Sequence, residues 1–191
     1  LPITVGEKIA PLLGASSNQT ICCDSVSINL FKLITCALAG NPERTTILST
    51  TNNFPTDLYV AEGIQRLLGG NRCRLQLVEN HELNSALKQK PGVLLLTQTD
   101  YRTGEIFDIE KLTSQAHANG TPVIWDLSHS VGVLPLEMDK WNVDFAVGCT
   151  YKYLNGGPGA PAFLYVAHNQ QENCFQPLSG WMGHKAPFEF L

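Results

Sequence analysis

The sequence is short of several things, and each shortage removes a class of protein. Charged residues make up only 16%, and no basic cluster interrupts a net charge of −4. A nucleic-acid partner is not expected from that balance. No apolar run in the chain approaches the roughly 20 residues that a membrane helix needs. No membrane segment is therefore expected. No secretory signal pattern opens the chain. None of the six cysteines stands in a C-x-x-C pair, and no zinc-ligand spacing is present. Cys22, Cys23, Cys36, Cys73, Cys149 and Cys174 are accordingly expected to be reduced, in a cytoplasmic core. Repeats, low-complexity tracts and linkers are also missing.

What is present suits one folded domain. The 191 residues are 43% apolar, enough to bury a single sizeable core. Helical and extended patterns alternate along the chain. Residues 2–14, 25–40, 55–70, 81–89 and 108–120 read as helices. Residues 20–24, 45–50, 73–78, 92–99, 122–127, 144–150 and 160–166 read as strands, several of them apolar throughout. That pattern predicts an α/β domain with a mostly parallel sheet and helices on both faces. The stretch "SGWMGHKAPFEFL" at 179–191 reads as loop.

In such sheets ligands bind beyond the carboxyl ends of the strands. The residues that fall there share a chemistry. Asp24, Ser25 and Ser27 follow the strand at 20–24. Asn52, Asn53, Phe54 and Asp57 follow 45–50, and Thr97 and Thr99 close 92–99. Asp126, Ser128 and His129 follow 122–125, and Tyr151 and Lys152 follow 144–150. Any one of these has an ordinary explanation. A strand-end Asp is often a helix cap, and a single His is usually a hydrogen-bonded structural residue. Lys152 alone reads as a solvated surface amine. Together they describe a site. A desolvated lysine can form a Schiff base with an aldehyde. Pyridoxal phosphate also needs a carboxylate at its ring nitrogen, and Asp126 is the candidate. Its phosphate needs helix-start amides and hydroxyls, which Ser25, Val26 and Ser27 offer. Phe54 can cover the ring face.

The segment "WDLSHSVGVLPLEMDKWNVDFAVGCTYKYLNGGPGAPAFLYV" at 125–166 closely resembles the kynureninase family. So do "DSVSINLFKL" (24–33), "NNFPTDLYVAEGI" (52–64), "DYRTGEIFDI" (100–109) and "SGWMGH" (179–184). The resemblance covers nearly the whole chain. It implies the large cofactor domain of the aspartate-aminotransferase-like fold (fold type I) and pyridoxal 5'-phosphate as cofactor. It implies Lys152 as the Schiff-base lysine and Asp126 as the pyridinium partner. His129 resembles the histidine beside the cofactor, and Tyr151 the tyrosine that reaches the phosphate and moves protons. Val26 and Ser27 fall at the phosphate-binding helix start, where the family often has threonine for Ser27. Phe54, Pro55, Thr56 and Asp57 form the "FPTD" signature, and Thr97 matches a small polar contact. Trp181 resembles a tryptophan that reaches the phosphate of the neighbouring subunit, which implies a homodimer with shared sites. The family more often has a second tryptophan where Met182 stands.

The implied reaction is hydrolysis of L-kynurenine, or its 3-hydroxy form, to anthranilate (or 3-hydroxyanthranilate) and L-alanine, in tryptophan catabolism and NAD biosynthesis. Family members are about twice as long. Residues 1–191 are thus expected to be an incomplete large domain, without the small domain whose arginine binds the substrate carboxylate. None of Arg44, Arg66, Arg72, Arg74 and Arg102 matches that arginine. Two rival readings stay open. One is another class V aminotransferase-like enzyme such as a cysteine desulfurase. The other is a truncated chain that binds without turnover.

Overall fold

The computed structural model describes residues 1–184 and 186–190. Seven strands build one sheet: β1 (Thr20–Cys22), β2 (Thr46–Thr50), β3 (Arg74–Val78), β4 (Val93–Thr97), β5 (Val123–Asp126), β6 (Phe145–Gly148) and β7 (Phe163–Val166). Their order across the sheet is β1-β7-β6-β5-β4-β2-β3. The five strands β3, β2, β4, β5 and β6 run parallel. β7 is antiparallel to β6 and to β1. The sheet is thus mostly parallel, as the sequence pattern predicts.

Six helices accompany it: α1 (Pro2–Leu13), α2 (Val26–Gly40), α3 (Pro55–Leu68), α4 (Leu83–Leu87), α5 (Ile109–His117) and α6 (His168–Gln171). Side chains alternate across a strand, so β4 feeds two separate cores. Leu94 and Leu96 join the core cluster that holds Ile9 and Leu13 of α1, Leu83 and Leu87 of α4 and Ile109 of α5. Val93 and Leu95 join the opposite cluster, with Leu30, Leu33 and Ile34 of α2 and Ala61 and Ile64 of α3. Both faces of β4 are therefore dry, which is why its sequence is a continuous apolar run. Each such Leu or Ile contributes roughly 1.5–3 kcal/mol by leaving water.

The helix starts arise from local chemistry. Ser25 caps α2, its hydroxyl accepting from the Ile28 amide at 3.3 Å. Pro55 occupies the first position of α3, where its missing N–H costs nothing. Asp108 caps α5 through the Lys111 amide at 2.9 Å. The predicted helix at 81–89 is shorter than expected. A 3₁₀ turn at Asn80–Glu82 precedes α4, because Glu79 and Glu82 form a capping box there. The short α6 and a 3₁₀ turn at Trp181–Gly183 carry no clear periodicity in the sequence.

One expectation is overturned. Cys36 of α2 and Cys174 are paired as a disulfide, with Cα atoms 5.2 Å apart. The pair is separated by 138 residues, so only the folded chain brings the thiols together. Cys22, Cys23, Cys73 and Cys149 are free.

Candidate active site

Because β2, β4, β5 and β6 are parallel, the loops that leave them open on one edge of the sheet. A cavity of about 230 Å³ lies there. Its wall includes Val26 and Ser27 from the start of α2, Phe54, Thr56 and Asp57 from the start of α3, Asp126 from β5, and Tyr151 and Lys152 after β6. A larger cavity, about 700 Å³, sits at the amino ends of β5 and β6 beside Thr121, Pro122, Asp144 and Phe145. We place the chemistry in the smaller one, where the amine and two buried carboxyl groups meet.

The turn that carries Lys152 is fixed by hydrogen bonds. The Gly156 amide donates to the Thr150 carbonyl at 2.9 Å, and Asn155 to the Lys152 carbonyl at 3.2 Å. The Thr150 hydroxyl donates to the Pro161 carbonyl at 2.6 Å. A side chain at Gly156 would meet Ala160 at 2.9 Å and Thr150 Oγ1 at 3.0 Å, so the loop closes this tightly only with glycine there. Gly157 adopts φ 79°, a left-handed backbone that glycine takes without strain. The glycine-rich run thus folds back under the lysine.

Lys152 Nζ lies 3.0 Å from His129 Nε2 and 5.5 Å from the ring centres of Phe54 and Tyr151. Burial lowers the His129 pKa, and the Lys152 charge lowers it further against the pull of Asp126. A neutral imidazole can accept the lysine proton at Nε2, which assigns its own hydrogen to Nδ1. Nδ1 is buried and has no partner among the described residues.

The carboxyl groups of Asp57 and Asp126 are 1% and 2% exposed. Asp57 has its pKa pushed well above the carboxylate range. Burial is the largest cause, with the Asp126 charge and a hydrogen bond to Asp126 adding to it. Two carboxyl groups so close cannot both ionise cheaply. Asp57 is therefore the acid whose proton burial and the neighbouring Asp126 hold more tightly. Thr97 Oγ1 donates to Asp57 Oδ2 at 3.2 Å. The Ser128 amide donates to Asp126 Oδ1 at 2.8 Å.

Phe54 is held between two rings, edge-on to Tyr101 at 5.2 Å and to His129 at 5.9 Å. Ser25 Oγ accepts the Ile28 amide, so the Val26 and Ser27 amides and the Ser27 hydroxyl remain for an anion. This set of groups fits pyridoxal phosphate: an amine, a pair of buried carboxyl groups, an aromatic ring and a helix start.

Val26, Ser27, Phe54, Thr56, Asp57, Asp126, Tyr151 and Lys152 thus meet in one cavity, with His129 and Thr97 in contact behind it. Pro55 starts α3 and is not part of the wall. Trp181 is elsewhere. It is 59% exposed, packs against Phe188 and Phe190, and donates its indole N–H to the Pro187 carbonyl. Sequence reading gives no role to Cys149, Ala160 and Ala162, which also line the cavity. Their apolar or small character carries no chemical signal.

A model of the family "Aminotransferase class-V" matches residues 4–184. The chain belongs to that family. Among curated proteins it is 48% identical over 189 residues to a kynureninase of Deinococcus radiodurans, covering 99% of this chain and 45% of that one. It is 43% identical over 189 residues to a kynureninase of Pseudomonas fluorescens, covering 96% and 45%. The chain spans about half the length of the curated relatives it matches. Among solved structures, the apo cysteine desulfurase of Thermococcus onnurineus superposes with TM-score 0.78 at 21% identity, covering 94% of this chain and 46% of that one. A C-DES variant with glycine covalently linked to its PLP cofactor gives TM-score 0.75 at 17% identity, covering 94% and 49%. These two likenesses establish the fold.

Proposed function

We propose that residues 1–191 form the large cofactor-binding domain of a kynureninase, a homodimeric cytoplasmic enzyme that hydrolyses L-kynurenine or its 3-hydroxy form. The products are anthranilate (or 3-hydroxyanthranilate) and L-alanine. One observation carries the reading: Lys152, His129, Asp126 and Asp57 converge at one strand-end edge, in a chain 43–48% identical to kynureninases along its length.

Pyridoxal phosphate, when bound here, supplies an electron sink conjugated to the substrate α-carbon. The chain's own groups do the rest. Amides of Val26 and Ser27 and the Ser27 hydroxyl bind the phosphate, helped by the helix dipole. Phe54 covers one ring face. Asp126 would hold the ring nitrogen and favour its protonated form, with the buried Asp57 beside it. Lys152 removes the α-proton, and His129 stays uncharged beside it as an acceptor. Tyr151 relays protons while water adds to the γ-carbonyl and the β–γ carbon bond breaks. No arginine lines the cavity among the described residues. Arg102 is instead bonded to Asn52 Oδ1 at 2.6 Å, so it is not placed to take the substrate carboxylate. Trp181, exposed on this surface, is available to the partner's site.

A desulfurase reading is less supported than a kynureninase one. It needs a mobile cysteine beside the cofactor. Cys149 is buried and bonded to the Ser128 carbonyl, and Cys174 is paired with Cys36.

The test uses the protein at the length of its relatives, loaded with pyridoxal phosphate. Anthranilate should form from L-kynurenine, with equimolar alanine. Turnover of L-cysteine to sulfide without any release of anthranilate would overturn the assignment.

A further inference from the structure

Behind Phe54 lies a second, very small cavity. Its volume is about 10 Å³, and its wall includes Asn53, Asn80, Thr97, Tyr101 and Phe107. That is the room one water molecule needs. Two of its wall residues each bury a polar atom that has no partner among the described residues: the donor Asn53 Nδ2 and the acceptor Asn80 Oδ1. Asn53 is 5% exposed. Its orientation is fixed, because Oδ1 accepts from the Thr97 amide at 2.8 Å, which leaves Nδ2 as the free end. A buried donor and a buried acceptor left unmet would each be costly.

We propose that this cavity is a binding site for one ordered water, which accepts from Asn53 Nδ2 and donates to Asn80 Oδ1, and that Asn53 is thereby a positioning residue for the buried acid pair. The second half rests on the functional reading above; the first does not.

The chain of contacts leads to the acid pair. Asn80 begins a 3₁₀ turn that the Glu79 and Glu82 capping box holds rigid. Glu79 also accepts from Thr51 Oγ1 at 2.9 Å, which ties the β2 exit loop to the β3 exit loop. The water passes that rigidity to Asn53. Asn53 holds the backbone of Thr97, and the Thr97 hydroxyl holds Asp57. Asp57 in turn shares the wall of the candidate active-site cavity with Asp126. Phe54, the next residue after Asn53, is anchored by the same loop. Loosening the water site should therefore be felt at the Asp57–Asp126 pair, although Asn80 touches neither.

The experiment pairs two variants of the full-length holoprotein. Asn80→Asp keeps the acceptor oxygen. Asn80→Leu removes it and fills the cavity. A crystal structure of the wild-type holoprotein should show one water within hydrogen-bond distance of both Asn53 and Asn80. Well-ordered density there without a water would overturn the site. In Asn80→Leu, pyridoxal phosphate titrated into apoprotein should bind about tenfold more weakly, and the pH midpoint of the bound cofactor's visible spectrum should move. Asn80→Asp should restore both. Equal losses in the two variants, or no loss in Asn80→Leu, would overturn the positioning role. Failure of the wild-type protein to bind pyridoxal phosphate would instead strike the functional reading and leave the water site to be judged by the density alone.

Discussion

Lys152 Nζ stands 3.0 Å from His129 Nε2, on the turn after β6 and beside the two buried carboxyl groups. The imidazole is kept neutral by burial and by the lysine charge itself. Lysine and histidine therefore form a donor–acceptor pair and not two repelling cations. Borohydride treatment with pyridoxal phosphate should fix a mass adduct on Lys152, and Lys152→Ala should lose it. An adduct mapped to Lys140 or another lysine would refute the assignment.

The acid pair has unequal partners. Asp126→Asn removes the charge that holds the ring-nitrogen proton. Turnover should drop roughly 10²–10³-fold, with cofactor binding partly retained. Asp57→Asn puts an uncharged polar group of the same shape there, so cofactor affinity should change only a few-fold. Asp57→Leu leaves the buried Asp126 without a polar partner at that position and should weaken binding by about 1–3 kcal/mol. The ranking Asp57→Asn above Asp57→Leu, in cofactor titrations, checks the raised Asp57 pKa.

Trp181 presents an exposed ring, although its indole N–H already has the Pro187 carbonyl as acceptor. A shared site requires that contact to be exchanged in the dimer. Mixing full-length Lys152→Ala and Trp181→Ala subunits should restore one intact site per heterodimer. Confirmed heterodimers without recovered activity would remove Trp181 from the site.

The 191-residue chain by itself should bind pyridoxal phosphate and fail to turn over kynurenine. The proposed cofactor-binding residues Ser27, Phe54, Asp126 and Lys152 line its cavity, while no arginine does among the described residues. Correct placement of substrate can be worth about 7–11 kcal/mol of barrier. Rates comparable with the full-length protein, at saturating cofactor, would show that no further domain is needed.

Stability should depend on pH through two histidines of opposite sign. The hydrogen bond that His117 donates to the Asp144 carboxylate raises the His117 pKa, against burial; the two groups are 2.7 Å apart. That stability is complete below the unfolded value of about 6.5 and is lost as pH rises through the folded value. His129 is lowered, so its effect is a loss of stability as pH falls below about 6.5. The wild-type Tm should fall on the alkaline side more than that of His117→Gln, and parallel Tm curves would count against the His117 contribution. His117 is about one-third exposed, so the difference should be small.

Much of the site was readable before any fold was known, because the chemistry sits at strand ends. Asp126 comes after a run of apolar residues, and Lys152 after another, so period and residue type alone put both on one edge. Ser25 and Pro55 mark helix starts with side chains whose local bonding is fixed by chemistry. Cys36 with Cys174, and Asn53 with Asn80, could not be read in the same way. Each pair joins residues far apart in sequence, and nothing in either neighbourhood names the other. Trp181 shows the reverse case, a motif that is legible although this chain does not bring it to the site.

The sequence by itself determined the alternation of elements, the two-faced burial of β4 and the identity of the reactive groups. These depend on side-chain period, caps and residue chemistry, which are local. Only the tertiary structure decided that two of the acids, Asp57 and Asp126, meet and that the Asp57 pKa is raised there. Asp57 and Asp126 are 69 residues apart in the chain, and both are acids of ordinary strength. Burial in one cavity beside Asp126 raises the Asp57 pKa, with Thr97 bonded to Asp57 and the Ser128 amide to Asp126.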